Sequence, residues 1–132
     1  MASNTSCLYV CTISVCYDLK APLGMEDRSI PRNMIRASDA YDNNDYGAHN
    51  ARLGNAENVW AASGSVTTPW IEADIGYPTP VSGVVTQGDG GAGQSDDWVT
   101  KLKVSTKLSS DVTGPGIFIK HDNGDDKVCS LN

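Results

Sequence analysis

The chain has 132 residues, 39% of them hydrophobic and 20% charged, and a formal net charge of −6 at pH 7. That length suits one ordinary domain with a single core. The composition excludes both a disordered polyelectrolyte and a membrane bundle, and the negative field repels nucleic-acid phosphates and anionic lipid headgroups.

Residues 1–15 read as a leader. The apolar run from Cys7 to Cys16, broken by Thr12 and Ser14, is too short to cross a bilayer as a helix but has the length of a secretory core. Against a signal peptide, no Lys or Arg precedes the run and no small-x-small cleavage site follows it. The sequon Asn4-Thr5-Ser6 would leave with such a leader. Cys7, Cys11, Cys16 and Cys129, with only His49 and His121 as imidazoles, lack the paired spacing of a zinc site. They are disulfide candidates whose pairing the spacing leaves open.

From Cys16 onward Gly, Pro, Asn, Asp and Ser recur every few residues, and no stretch keeps helical apolar spacing for three turns. Short alternating runs between turn residues predict an all-β sandwich or barrel. Single helical turns are expected after Pro31 and within Ala48 to Leu53. The loop from Asp39 to Gly47 holds Asp42, Asn43, Asn44 and Asp45, an oxygen-rich set resembling half an EF-hand. Leu53 stands where such a loop needs its bidentate Glu. Solvated turn residues are therefore the preferred reading of this loop, with a single calcium ion held by Asp42, Asn44 and Asp45 as the alternative, and no cofactor is required. Tyr41 and Tyr46 flank the loop with rings suited to stacking on a sugar or anchoring a protein.

A second long loop runs from Ala61 to Pro69. Ile71, Ala73 and Ile75 then alternate with Glu72 and Asp74 as a strand with an apolar face. Val81 to Gln87 predicts a strand apolar on both faces. Gly88 to Gly93 satisfies G-x-G-x-x-G, yet Gln94 to Asp97 lead into another strand rather than the helix a dinucleotide site needs, and Asp89, Asp96 and Asp97 would repel pyrophosphate. It reads as a third long loop. Trp98 to Thr106 predicts a half-buried strand with Trp98, Leu102 and Val104 inward and Lys101 and Lys103 in water, Lys107 joining this wet face. Ile117 to Lys120 predicts a shorter strand. No nucleophile elbow is present and each His stands alone in sequence, so no enzyme is expected.

Several segments together resemble the discoidin family, the coagulation factor V and VIII type C domain. They are Cys16 with Pro22-Leu23-Gly24-Met25-Glu26-Asp27 and Ser29-Ile30-Pro31; Ile35-Arg36-Ala37-Ser38; and Gly47-Ala48-His49-Asn50-Ala51-Arg52-Leu53. Trp60, Trp70 to Gly76, Gly83 to Gly88, and Trp98 to Ser105 follow in the same order. The resemblance covers residues 16–132. It implies an eight-stranded, jelly-roll-like β-sandwich of the galactose-binding type, without catalysis, used outside cells for adhesion. Its three long loops would be the ligand-binding spikes, which places Tyr41, Asp42, Asn44, Asp45 and Tyr46 in the first and Asp89 and Gln94 in the third.

The implied partner is a cell-surface or matrix glycan or protein. Anionic phospholipid is the second choice, since the loops lack basic or apolar tips, and nucleic acid is not expected. The implied location is secreted or on the outer cell surface. Two departures from the family pattern matter. Arg28 stands where the family has a turn Gly, and the sequence ends before the family's last strands and closing Cys. The expectation is an incomplete sandwich with unpaired edges that invite self-association, or a structural fragment of a larger secreted protein.

Overall fold

The computed structural model describes residues 22–55, 58–81, 83–89, 97–108, 114 and 116–130. The 1–15 leader, Cys7, Cys11, Cys16, Gln94 and most of the third loop lie outside the described residues. Among the described residues the architecture is all-β: six short strands form three antiparallel pairs, accompanied by two single 3₁₀ turns. None of the described helices is long and apolar enough to cross a membrane.

The first pair joins β1 (Ile35–Ala37) to β2 (Ile71–Ala73) with Arg36 opposite Glu72. That register sets opposite charges side by side, and Arg36 Nη2 donates to Glu72 Oε1 at 3.1 Å. Lys107 Nζ approaches the other oxygen of the same carboxylate. The alternation predicted for 71–75 is thus inverted in its burial over 71–73, while Ile75 is half-buried. Ile71 and Ala73 are exposed, while Glu72 is half-buried between two cations. Lys107 is likewise drawn off the wet face on which it was expected.

The predicted helical turns are present as η1 (Arg32–Met34), entered from Pro31, and η2 (Ala48–Asn50), entered from Gly47. They bracket the small described core. Ile30 and Ile35 are its buried apolar side chains, and Asn50 is buried with Nδ2 donating to the Asp45 carbonyl at 2.8 Å. Arg52 ties the surrounding segments together. Its Nε donates to the His49 carbonyl at 3.1 Å, Nη1 to Met25 at 2.8 Å and Nη2 to Ile30 at 2.8 Å. A guanidinium presents its donors as a rigid planar fork, so one side chain holds three backbone carbonyls, two of them in the turn 24–30.

The turn that Arg52 straps is closed by Ile30 N–H on the Gly24 carbonyl at 3.0 Å. Gly24 sits at φ +111°, and a Cβ there would meet Ser29 Cβ at 2.9 Å, so glycine is required twice over. At the tip Arg28 adopts φ +67°, the one positive-φ residue other than glycine among the described residues. The departure noted in the sequence therefore falls on a left-handed position that favours glycine.

The segment predicted as one strand from Trp98 to Thr106 is shorter and divided. β3 (Lys101–Lys103) pairs with β6 (Val128–Ser130), and β4 (Ser105–Thr106) pairs with β5 (Ile117–Phe118). Leu102 and Val104 are half-buried as expected, whereas Trp98 is 58% exposed. Between β5 and β6 the chain makes a small hairpin, with Lys120 opposite Asp126 and His121 N–H on the Asp125 carbonyl. Asp126 collects Lys103 at 3.0 Å and Lys120 at 3.6 Å. The Lys103 ammonium also lies 5.5 Å from the centroid of the Phe118 ring. Described residues between 81 and 87 are half-buried except Gln87 but form no strand.

Candidate functional site

Loop 39–47 is built by local hydrogen bonds. Asp42 Oδ1 accepts the Asn44 N–H at 2.7 Å, an Asx turn, and the Asp42 carbonyl accepts Tyr46 N–H at 2.7 Å. This folds the loop so that the Tyr41 and Tyr46 rings meet edge to face, centroids 5.7 Å apart at 85°, a favoured aromatic geometry. Tyr41 is 73% exposed while Tyr46 is half-buried. Tyr46 supports and Tyr41 presents a face.

Gly47 allows the exit from this loop. A Cβ there would lie 2.5 Å from the Asn43 carbonyl oxygen and 2.8 Å from the His49 ring, so any side chain would push the loop from η2. His49 is held below the ordinary imidazole pKa, first by burial and then by the charges of Arg32 and Arg52.

The second loop is stitched to the first. Tyr41 N–H donates to the Ala61 carbonyl at 2.8 Å, Ala61 N–H returns to Tyr46 at 3.3 Å, and Trp60 Nε1 donates to the Asp39 carbonyl at 3.0 Å. The Asp39 carboxylate accepts the Ser63 N–H at 3.0 Å, the Ser63 hydroxyl, the Ser38 hydroxyl at 3.0 Å and the Ser65 hydroxyl at 3.4 Å. These donors, the Ser63 hydroxyl foremost, hold the Asp39 carboxyl below the usual carboxylate pKa despite a smaller opposing cost of desolvation. The result is a joint surface of aromatic, hydroxyl, amide and carboxylate groups.

The structure thus brings Tyr41, Asp42, Asn44, Asp45 and Tyr46 together in one loop. Asp39, Ser63 and Ser65 belong to the same surface and were missed by sequence reasoning, because a lone Asp and two Ser in separate loops give no local signal. Asp89 stands in the third loop, where its N–H bonds the Asp97 carbonyl at 2.8 Å. Among the described residues no three His, Cys, Asp or Glu side chains converge as metal ligands. Cys129 in β6 is disulfide-bonded.

An all-β domain with two cross-braced polar loops carrying an exposed tyrosine has the form of a recognition domain. The family model of the F5/8 type C domain matches residues 34–115, more than half of the chain, and the chain belongs to that family, the discoidin domains. Among curated proteins it is 39% identical to neuropilin-1a of Danio rerio over 72 residues, which are 54% of this chain and 8% of that protein. It is 34% identical to lactadherin of Sus scrofa over 85 residues, 59% of this chain and 20% of that protein. The chain therefore spans a fifth or less of these relatives. No solved structure matches it. Members of the family are extracellular binding modules without catalysis.

Proposed function

We propose that this domain is an extracellular adhesion-type recognition module that binds a glycan or a protein through loops 39–47 and 61–68. The carrying observation is the Asp39 brace, which fixes Ser63 and Ser65 of the second loop against the first, with Tyr41 exposed in that first loop. An aromatic face next to hydroxyls, amides and a carboxylate suits a sugar, whose apolar ring face stacks while its hydroxyls hydrogen-bond. Pre-ordered loops also lower the entropy cost of binding. Asp89 and Gln94 of the third loop are proposed as outer contacts, and Asp42, Asn44 and Asp45 as the ligands of a weak calcium site. An upward shift in unfolding temperature on adding calcium supports that site, and an unchanged temperature counts against it.

The test is a glycan array and a matrix-protein screen with the folded chain, repeated with Tyr41→Ala. Binding that falls roughly tenfold or more in the variant, about 1.4 kcal/mol or more, supports the reading. No ligand in either screen, or binding indifferent to Tyr41→Ala, counts against it. Vesicles graded in phosphatidylserine form a further arm, in which binding that grows with anionic lipid would favour the phospholipid reading.

A further inference from the structure

The hairpin between β5 and β6 lies beyond the residues 34–115 that match the family model, and none of its groups belongs to the Tyr41 surface. Its turn is closed by two backbone bonds, Gly124 N–H to the His121 carbonyl at 2.9 Å and His121 N–H to the Asp125 carbonyl at 2.8 Å. Gly124 sits at φ +90°, a left-handed position that favours glycine. The turn therefore sets a glycine directly after Asn123. Of the nine asparagines in the chain, Asn123 alone precedes a glycine.

That pair carries its own chemistry. The backbone nitrogen after an asparagine can attack the side-chain amide, because the product is a five-membered ring, and a glycine has no β-carbon to hinder the approach. Nothing lies within 4 Å of where a Gly124 Cβ would stand, and residues 120–125 are exposed. The Asn123 amide is also oriented. Its Oδ1 accepts the Asp125 N–H at 3.1 Å, and its Nδ2 donates to Asp125 Oδ2 at 3.0 Å. Attack at Cγ puts negative charge on Oδ1, and a backbone N–H already aimed at that oxygen stabilises it. The opposing contact is the Gly124 N–H bond to His121, which must open to free the nitrogen. It closes a single turn at an exposed tip, where local opening costs little.

We propose that Asn123 is a site of spontaneous covalent modification, deamidation through a succinimide with water as the only co-reactant. The Gly124 nitrogen gives its proton to solvent and bonds to Asn123 Cγ. The Cγ–Nδ2 bond then breaks, and Nδ2 takes a proton from solvent and leaves as ammonia. Water opens the ring at either carbonyl. Opening at Cγ restores the normal backbone with an aspartate, and opening at the main-chain carbonyl leaves an isoaspartate whose backbone runs through Cγ. Both products disturb the hairpin. The donor on Asp125 Oδ2 is replaced by a carboxylate, so like charges meet there, and one charge added to −6 gives −7. The isoaspartate also lengthens the chain by one carbon inside a turn that the two His121 bonds hold closed. Lys120 Nζ on the Gly124 carbonyl at 3.0 Å and the Asp125 carboxylate are the charged groups in contact with the reacting pair.

The test is incubation of the full chain at neutral and mildly alkaline pH, followed by peptide mapping with mass spectrometry and an isoaspartate methyl-acceptor assay. A parallel sample in urea supplies the unfolded reference. Expected is conversion of Asn123 in the folded chain, roughly tenfold or more faster than at any other asparagine, and faster at the higher pH because the attacking nitrogen must lose its proton. N123Q should abolish modification at this position, since attack would have to close a six-membered ring. N123D, which carries the charge of the normal product, should melt at a lower temperature than the parent. Conversion confined to the urea sample, another asparagine converting as fast as Asn123, or a rate indifferent to pH would overturn the proposal. N123D melting at the parent's temperature would overturn the effect assigned to the new charge.

Discussion

Replacing Arg28 by glycine should stabilise the domain. At φ +67° an L-residue's Cβ crowds the following carbonyl at a cost of roughly 1–2 kcal/mol. Glycine removes that cost but loses about 0.5–1 kcal/mol more backbone entropy on folding. The net gain is about 0.5–1 kcal/mol. For a domain of this size it should raise the unfolding temperature by roughly 2–5 °C. Calorimetric melting and urea unfolding at fixed pH both read it, the second as a higher midpoint at unchanged slope. Arg28→Ala is the control, since it removes the charge near Arg52 but keeps the Cβ, and it should stay within about 0.5 kcal/mol of the parent. An unchanged or lower melting temperature for Arg28→Gly would refute the reasoning, and an equal gain for Arg28→Ala would assign the effect to charge repulsion.

Arg52→Lys should destabilise the domain by about 2 kcal/mol or more, because an ammonium cannot reach the three carbonyls spanned by the guanidinium; urea unfolding measures it. Gly47→Ala should lower the melting temperature and weaken any Tyr41-dependent binding, since its Cβ would collide with the Asn43 carbonyl and the His49 ring. The Asp39 pKa is depressed in the fold, so its contribution is complete above its unfolded value near 3.8 and is lost as pH falls through the lowered folded value. Asp39→Asn should flatten that acid limb in pH-dependent melting. The depressed His49 pKa has the same sign in a higher window: stability falls as pH drops from about 6.5 toward the folded value, and His49→Gln should remove that slope.

The frequency of turn residues and the absence of helical periodicity were enough to read an all-β domain, because both are local. Pro31 and the segment Ala48 to Leu53 likewise announced their 3₁₀ turns, since chain entry into a helical turn depends on neighbouring residues alone. Family resemblance marked Arg28 as a residue in a glycine's place, and its left-handed φ is the structural reason. Tyr41, Asp42 and Tyr46 were legible as a loop surface because the bonds that fold the loop itself, Asn44 to Asp42 and Tyr46 to Asp42, span four residues or fewer.

Tertiary structure decided what depends on distant partners. Alternation at 71–75 marked Ile71 and Ala73 as the apolar side but could not reveal that Arg36 and Lys107 would draw Glu72 inward. Trp98 looked like a core residue by its spacing from Leu102, yet burial depends on what covers it, and it stands exposed. The Asp39 brace joins residues more than twenty positions apart, and Arg52 reaches carbonyls 22 and 27 positions away. Sequence therefore determined the backbone habits of this chain. Which charges meet, and which loops join in one surface, was set by contacts between residues that are distant in the chain.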